Sequence, residues 1–143
     1  MCMYVSAYAK PRKARKDIEC FKVVLLRIGS AGLRHIMTPC QSTCLSPDVI
    51  SGHVNFVAKK YCFEDAKHYS PNGIYISRGF IHTFRRLKDA ESFKNGLYVN
   101  GKPLIYKCVI PAGTEYYKGE DESIECPAYA SDAIRFVKKI ELE

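Results

Sequence analysis

At 143 residues, 47% of them apolar and with a formal net charge of +7, the chain is long enough to close one core and too apolar to be disordered. It has no apolar run long enough to cross a bilayer as a helix, and its basic balance favours anionic partners: nucleic acid, nucleotides, phosphorylated metabolites or an acidic protein. Seven cysteines without a charged-then-apolar leader imply reduced, mostly buried thiols and a cytosolic setting, with no membrane involvement.

Met1 to Ala9 alternates as a short first strand. Lys10 to Lys16 then places five cations in seven residues around Pro11. Such a run is a solvated loop that can hold phosphates, and the proline excludes a helical recognition element. Asp17 to Ile28, DIECFKVVLLRI, is a strong strand whose VVLL centre predicts burial on both faces. Gly29 to Gly32 breaks it with a β-turn, because the stretch before Pro39 is too short for the helix that a phosphate-cradling glycine loop requires. Residues 38 to 52 are loop-like in composition. His35, Cys40, Cys44 and His53 are spaced H-x4-C-x3-C-x8-H, four groups capable of ligating zinc in a looser pattern than the paired knuckles of structural sites. Ordinary loop or core residues are the expectation there, and no metal or cofactor is expected.

His53 to Ala58 reads as a strand, Lys60 to Tyr69 as a short helix and Ser70 to Gly73 as a turn. Gly73 to Phe84 is one bent strand or two short ones, broken at Arg78-Gly79. Arg85 to Asn95 has Leu87, Ala90 and Phe93 at helical spacing and a stop at Asn95-Gly96. Asn100-Gly101 predicts a tight hairpin turn. Beyond it Leu104, Tyr106, Cys108 and Ile110 share one face of a strand, with Ile105, Lys107 and Val109 on the other. A strand apolar on nearly both faces belongs in the middle of a sheet, and Pro111 and Gly113 end it. Lys118 to Pro127 is acidic and turn-like, without the ligand order of a calcium loop. Ala133 to Leu142 predicts an outer strand with Ile134, Phe136, Ile140 and Leu142 on one face. The sum is an α+β fold: a single compact domain, mainly an antiparallel twisted sheet with one or two helices.

In order, the pieces MCMYV, RKDIECFKVV, GFIHTF with Asp89-Ala90 after it, LIYKCVIPAGTEYYKG and AYASDAIRFVKKI cover about half the chain. This pattern resembles a loose group of small, mostly uncharacterised phage and prophage proteins. The resemblance implies a phage-encoded origin, hence the host cell cytoplasm, and a compact α+β fold. The order strand, GFIHTF, strand also resembles an ADP-ribosyltransferase half-barrel, which implies His82 and Tyr106 as cofactor contacts.

The residues themselves offer a phosphate-and-base site: Arg78, Arg85 and Arg86 for phosphate, Tyr106, Tyr116 and Tyr117 for stacking, and His82 among them. Each has a plain alternative, since a strand histidine is commonly a hydrogen-bonded core residue and tyrosines fill cores. A catalytic nucleophile, base and orienter are not identifiable by spacing. The leading expectation is a non-enzymatic, counter-defence protein that sequesters an anionic nucleotide-like signalling ligand. Alternatives are a basic inhibitor of a host protein or nucleic-acid complex, or a nucleotide-modifying enzyme. A homo-oligomer sharing one site between protomers would suit a ligand trap.

Overall fold

The computed structural model of the chain describes residues 10–28, 80–97, 101–121 and 125–141 in full, and residues 3–5, 34–37, 44–46, 57–59, 67–70 and 73–76 as backbone strands. In chain order the elements are β1 (Met3–Val5), β2 (Arg12–Lys13), β3 (Ile18–Ile28), β4 (Arg34–Met37), β5 (Cys44–Ser46), β6 (Val57–Lys59), β7 (Lys67–Ser70), β8 (Gly73–Ile76), β9 (Ile81–Phe84), α1 (Leu87–Asn95), β10 (Lys102–Ile110), β11 (Glu115–Asp121), β12 (Pro127–Ser131) and β13 (Ala133–Ile140). All belong to one antiparallel sheet except α1, with main order β6-β13-β10-β3-β9-β12-β11-β1-β8-β7. Among the described residues, no helix is long and apolar enough to cross a membrane.

β10 lies where its sequence predicts, between β3 and β13, with register partners running from Lys102 and Leu26 to Ile110 and Ile18. The expected Asn100-Gly101 hairpin does not supply either neighbour: the chain reaches β10 from α1, and both flanking strands are distant in sequence. Gly101 still adopts φ +124, and a Cβ there would lie 3.1 Å from the Leu26 carbonyl oxygen. The close approach to β3 accounts for a glycine here, while Asn100 lies outside the described residues.

Four interstrand steps separate β10 from β11, about 19 Å in a flat sheet. Yet only residues 111 to 114 join them, in a turn closed by Thr114 N–H donating to the Pro111 carbonyl at 3.1 Å. The sheet is therefore rolled. Its inner face gathers Cys20, Val24, Ile81, Tyr106, Cys108, Ile110, Tyr129, Ile134 and Phe136. The outer face gathers Phe21, Val23, Phe84 and Ile105 beneath α1, which contributes Ala90 and Phe93. Alternation along β3, β9 and β10 sends neighbouring residues to opposite cores, so both faces of the central strands are dry. Each fully buried large side chain contributes roughly 1.5–3 kcal/mol, so neither face is expendable.

α1 forms as its apolar spacing predicts. Ala90 is fully buried, and the Phe93 ring packs 5.2 Å from that of Phe84. Asp89 in its first turn accepts from Arg86 Nε at 2.6 Å, and Gly96 N–H closes the last turn on Ser92 and Phe93.

Three other expectations change. Lys67–Ser70, the end of the expected Lys60–Tyr69 helix, is a strand; Ser70 pairs with Gly73 in a hairpin. Lys118 to Asp121 continues β11, and Pro127, the end of the expected acidic turn, begins the strand Pro127–Ser131. Its small and polar residues lack β propensity, and pairing on both sides of β11 and β12 overrides that. In β13, the register jumps from Lys138 opposite Lys107 to Phe136 opposite Cys108. The extra residue, Val137, forms a bulge that reverses the facing beyond it. Ile134 and Phe136 thus enter the inner core while Ile140 packs against the outer one.

Candidate functional site

The basic run is a strap held at both ends. β2 pairs with the start of β11, setting Arg12 opposite Tyr116 and Lys13 opposite Glu115. Ala14 exchanges backbone bonds with the β10–β11 turn: its N–H donates to Thr114 O at 2.9 Å, and its carbonyl accepts from Gly113 N–H at 2.7 Å. Asp17 then accepts from Ala112 N–H at 3.0 Å and from Arg135 Nη2 at 2.8 Å. The Ala112 amide first, and the Arg135 guanidinium second, hold the Asp17 carboxyl below its ordinary value.

This anchoring shapes a cavity of about 770 Å³ lined by Arg12, Lys13, Ala14, Arg15, Lys16, Ile18 and Tyr116. Its size is ordinary for a small-molecule site. Arg12, Lys13, Arg15 and Lys16 are all exposed, and none forms an ion pair among the described residues. The one nearby carboxylate on the strap, Asp17, is already engaged by Arg135. Four cations therefore line the cavity, on a backbone that β11 and the β10–β11 turn hold in place.

Tyr116 is positioned from behind by Tyr129, with ring centroids 5.9 Å apart and planes at 76°. Burial pushes the Tyr129 phenol above its ordinary value against the opposing charge of Arg85, placing that arginine within electrostatic reach of the tyrosine pair. Ser131 is the inner cross-strand neighbour of Tyr116, and its buried hydroxyl has no hydrogen-bond partner among the described residues.

The residues singled out in the sequence divide among three places. Tyr106 belongs to the inner core, edge-on to Phe136 at 5.3 Å, and the half-buried Tyr116 packs against that core from the same face. His82 and Tyr117 share the outer face, aligned on either side of Ala130, and Tyr117 packs 5.4 Å from Phe80. Arg85 and Arg86 are exposed at the entry to α1, with Arg86 bound to Asp89. Arg78 lies outside the described residues, as do the side chains of His35, Cys40, Cys44 and His53. The six of these residues that are described therefore do not form one site: the sheet separates His82 and Tyr117 from Tyr106 and Tyr116. The same separation places His82 and Tyr106 on opposite faces, away from a shared cofactor.

The composition of Lys10 to Lys16 marks the strap as a phosphate candidate, but nothing in the sequence joins it to Tyr116, a hundred residues away. That pairing comes from β2 and β11 alone.

Burial raises the thiols of the cores. Cys20 is pushed up to about 12, and Cys108, its direct cross-strand partner, well above its ordinary value. Cys126 is pushed up to about 11 by burial, reinforced by Asp89 and Asp121. Thiols held protonated in this way are poor nucleophiles at neutral pH.

No family model matches the chain, no curated protein matches it, and no solved structure matches it.

Proposed function

We propose that the protein binds and sequesters an anionic, nucleotide-like ligand in the strap cavity, without catalysis. The observation that carries this reading is the convergence of four exposed cations and Tyr116 on one cavity. Arginine forks and lysine ammoniums bind phosphate oxygens, and a tyrosine ring beside them suits a ligand with a flat apolar part. The phage-like sequence pieces extend the reading to a phage-encoded counter-defence protein, capturing a signalling nucleotide in the host cell cytoplasm.

Incubation of the purified protein with cyclic and ADP-ribose-type nucleotides, followed by denaturation and recovery, tests it. Intact nucleotide released in stoichiometric amount is the expected result. A chemically altered nucleotide makes the protein an enzyme, and absence of binding removes the sequestering role.

A second reading, a basic inhibitor of a host protein or nucleic-acid complex, draws on the outward display of the same cations. A gel shift across a salt series separates the two. Nucleic-acid binding through several phosphates weakens by orders of magnitude between low and moderate salt.

A further inference from the structure

We infer that Arg12 and Tyr116 form a two-sided clamp for the planar base of a nucleotide, with Arg15 and Lys16 taking its phosphates. The inference rests on the anion-binding reading and assigns the part of the ligand that phosphate contacts leave unread.

Arg12 and Tyr116 are register partners on adjacent antiparallel strands. Partners of this kind project to the same face with Cβ atoms roughly 4.5–5.5 Å apart. Both line the cavity, and no contact between the guanidinium and the ring occupies the space between them. Admitting a flat ring between two flat groups needs a separation of roughly 7–8 Å, twice a carbon contact distance. Arg12 is exposed and holds no ion pair among the described residues, so its long side chain has rotamers open to it, while Tyr116 packs against Tyr129 with ring planes at 76°. One jaw is packed and the other solvent-exposed. A guanidinium and a phenol ring are both groups on which nucleobases stack, without hydrogen-bond readout of base identity.

Arg15 and Lys16 follow on the same strap, beyond the Ala14 backbone bonds to the β10–β11 turn. They line the same cavity as the clamp and are the cations assigned to the ligand's phosphates. A cavity of this volume suits a mononucleotide or a nucleotide conjugate.

Isothermal titration of the full chain with ATP, ADP-ribose, inorganic tripolyphosphate and a single-stranded oligothymidylate series tests the clamp. The expected result is that at least one base-bearing probe binds more tightly than tripolyphosphate by roughly 5- to 150-fold, the usual worth of one stacked base. Tyr116→Leu, which keeps apolar bulk, removes that advantage and leaves tripolyphosphate affinity unchanged. Tyr116→Phe retains the advantage and controls for folding. Arg15→Ala with Lys16→Ala weakens all phosphate probes together. Equal affinity for tripolyphosphate and both base-bearing probes overturns the clamp while the anion-binding reading stands, as does an equal loss for every probe in Tyr116→Leu. Affinity that keeps rising with oligothymidylate length overturns the small-ligand assignment. Failure of every probe to bind removes both the clamp and the reading beneath it.

Discussion

The Lys22 ammonium, 4% exposed and on the inner face of the rolled sheet, donates to the backbone carbonyl of His82 at 2.7 Å. It does so where the sheet forks. One edge of β3 pairs with β10 along its length; the other touches β9 only at Phe21–Phe84 before passing to β4 from Leu25 onward. Between those contacts the Lys22 side chain reaches across from β3 to the His82 carbonyl of β9. A buried lysine is costly by itself, and its bond to the His82 carbonyl offsets part of that cost.

Lys22→Met keeps an unbranched side chain of similar volume, one atom shorter, while removing the donor. Two effects oppose each other, relief of a desolvated charge and loss of a partner for a buried carbonyl. The second is expected to prevail, lowering stability by roughly 1–3 kcal/mol in urea denaturation. Amide hydrogen exchange in β9 should quicken alongside. A variant as stable as the parent would show that the fork holds without the ammonium.

The buried thiols give the fold an alkaline limit. The Cys20 thiol, raised from 9.0 to about 12, keeps its proton in the folded state at pH values where the unfolded chain has lost it. Its folded value lies above its unfolded value, so its contribution is whole below pH 9.0 and is lost as pH rises from there toward 12. Unfolding free energy should fall by about 1.4 kcal/mol per pH unit for each such thiol. Denaturation midpoints measured from pH 8 to 11 should show this slope, and Cys20→Ala should remove one thiol's share.

Asp17 behaves in the opposite sense. Its folded value lies below 3.8, so the clamp between strap and turn is complete above that pH and is lost as pH falls through the depressed value. An NMR titration of the Asp17 carboxyl should give an apparent value below 3.8. Asp17→Asn should loosen the strap at neutral pH, seen as faster exchange of the Ala112 and Gly113 amides. An unshifted carboxyl would mean that the Ala112 and Arg135 contacts are not kept in solution.

The two positive-φ glycines should respond differently to alanine. At Gly113, φ is +87 and a Cβ meets nothing within 4 Å, so Gly113→Ala carries only the backbone penalty, about 1 kcal/mol. At Gly101 the same penalty is joined by contacts of 3.1 Å to Leu26 O and 3.2 Å to Arg27 Cγ, so Gly101→Ala should cost more. Thermal unfolding of both variants checks the order, and the reverse ranking would contradict the packing of residue 101 against β3.

Ser131→Ala offers a stability gain. Its hydroxyl is fully buried without a hydrogen-bond partner among the described residues, so replacing it removes a desolvation cost and should raise stability by up to about 1 kcal/mol. A loss of similar size would instead reveal an ordered water satisfying the hydroxyl beside Tyr116.

By itself the sequence determined the elements whose patterns are strong and local. Alternation set the two faces of Leu104 to Ile110, the VVLL run made β3 a doubly buried strand, and Leu87, Ala90 and Phe93 defined the one helix among the described residues. It also marked Lys10 to Lys16 as a cationic surface. Tertiary structure decided the rest because backbone pairing is not written in composition. Pro127 to Ser131 became a strand by pairing on both edges, Val137 became a bulge because its partner strand had no residue to oppose it, and His82 was turned away from Tyr106 by the sheet between them. Above all, the meeting of the strap with Tyr116 follows from the roll that lets β2 reach β11, a contact between segments a hundred residues apart that no local pattern encodes.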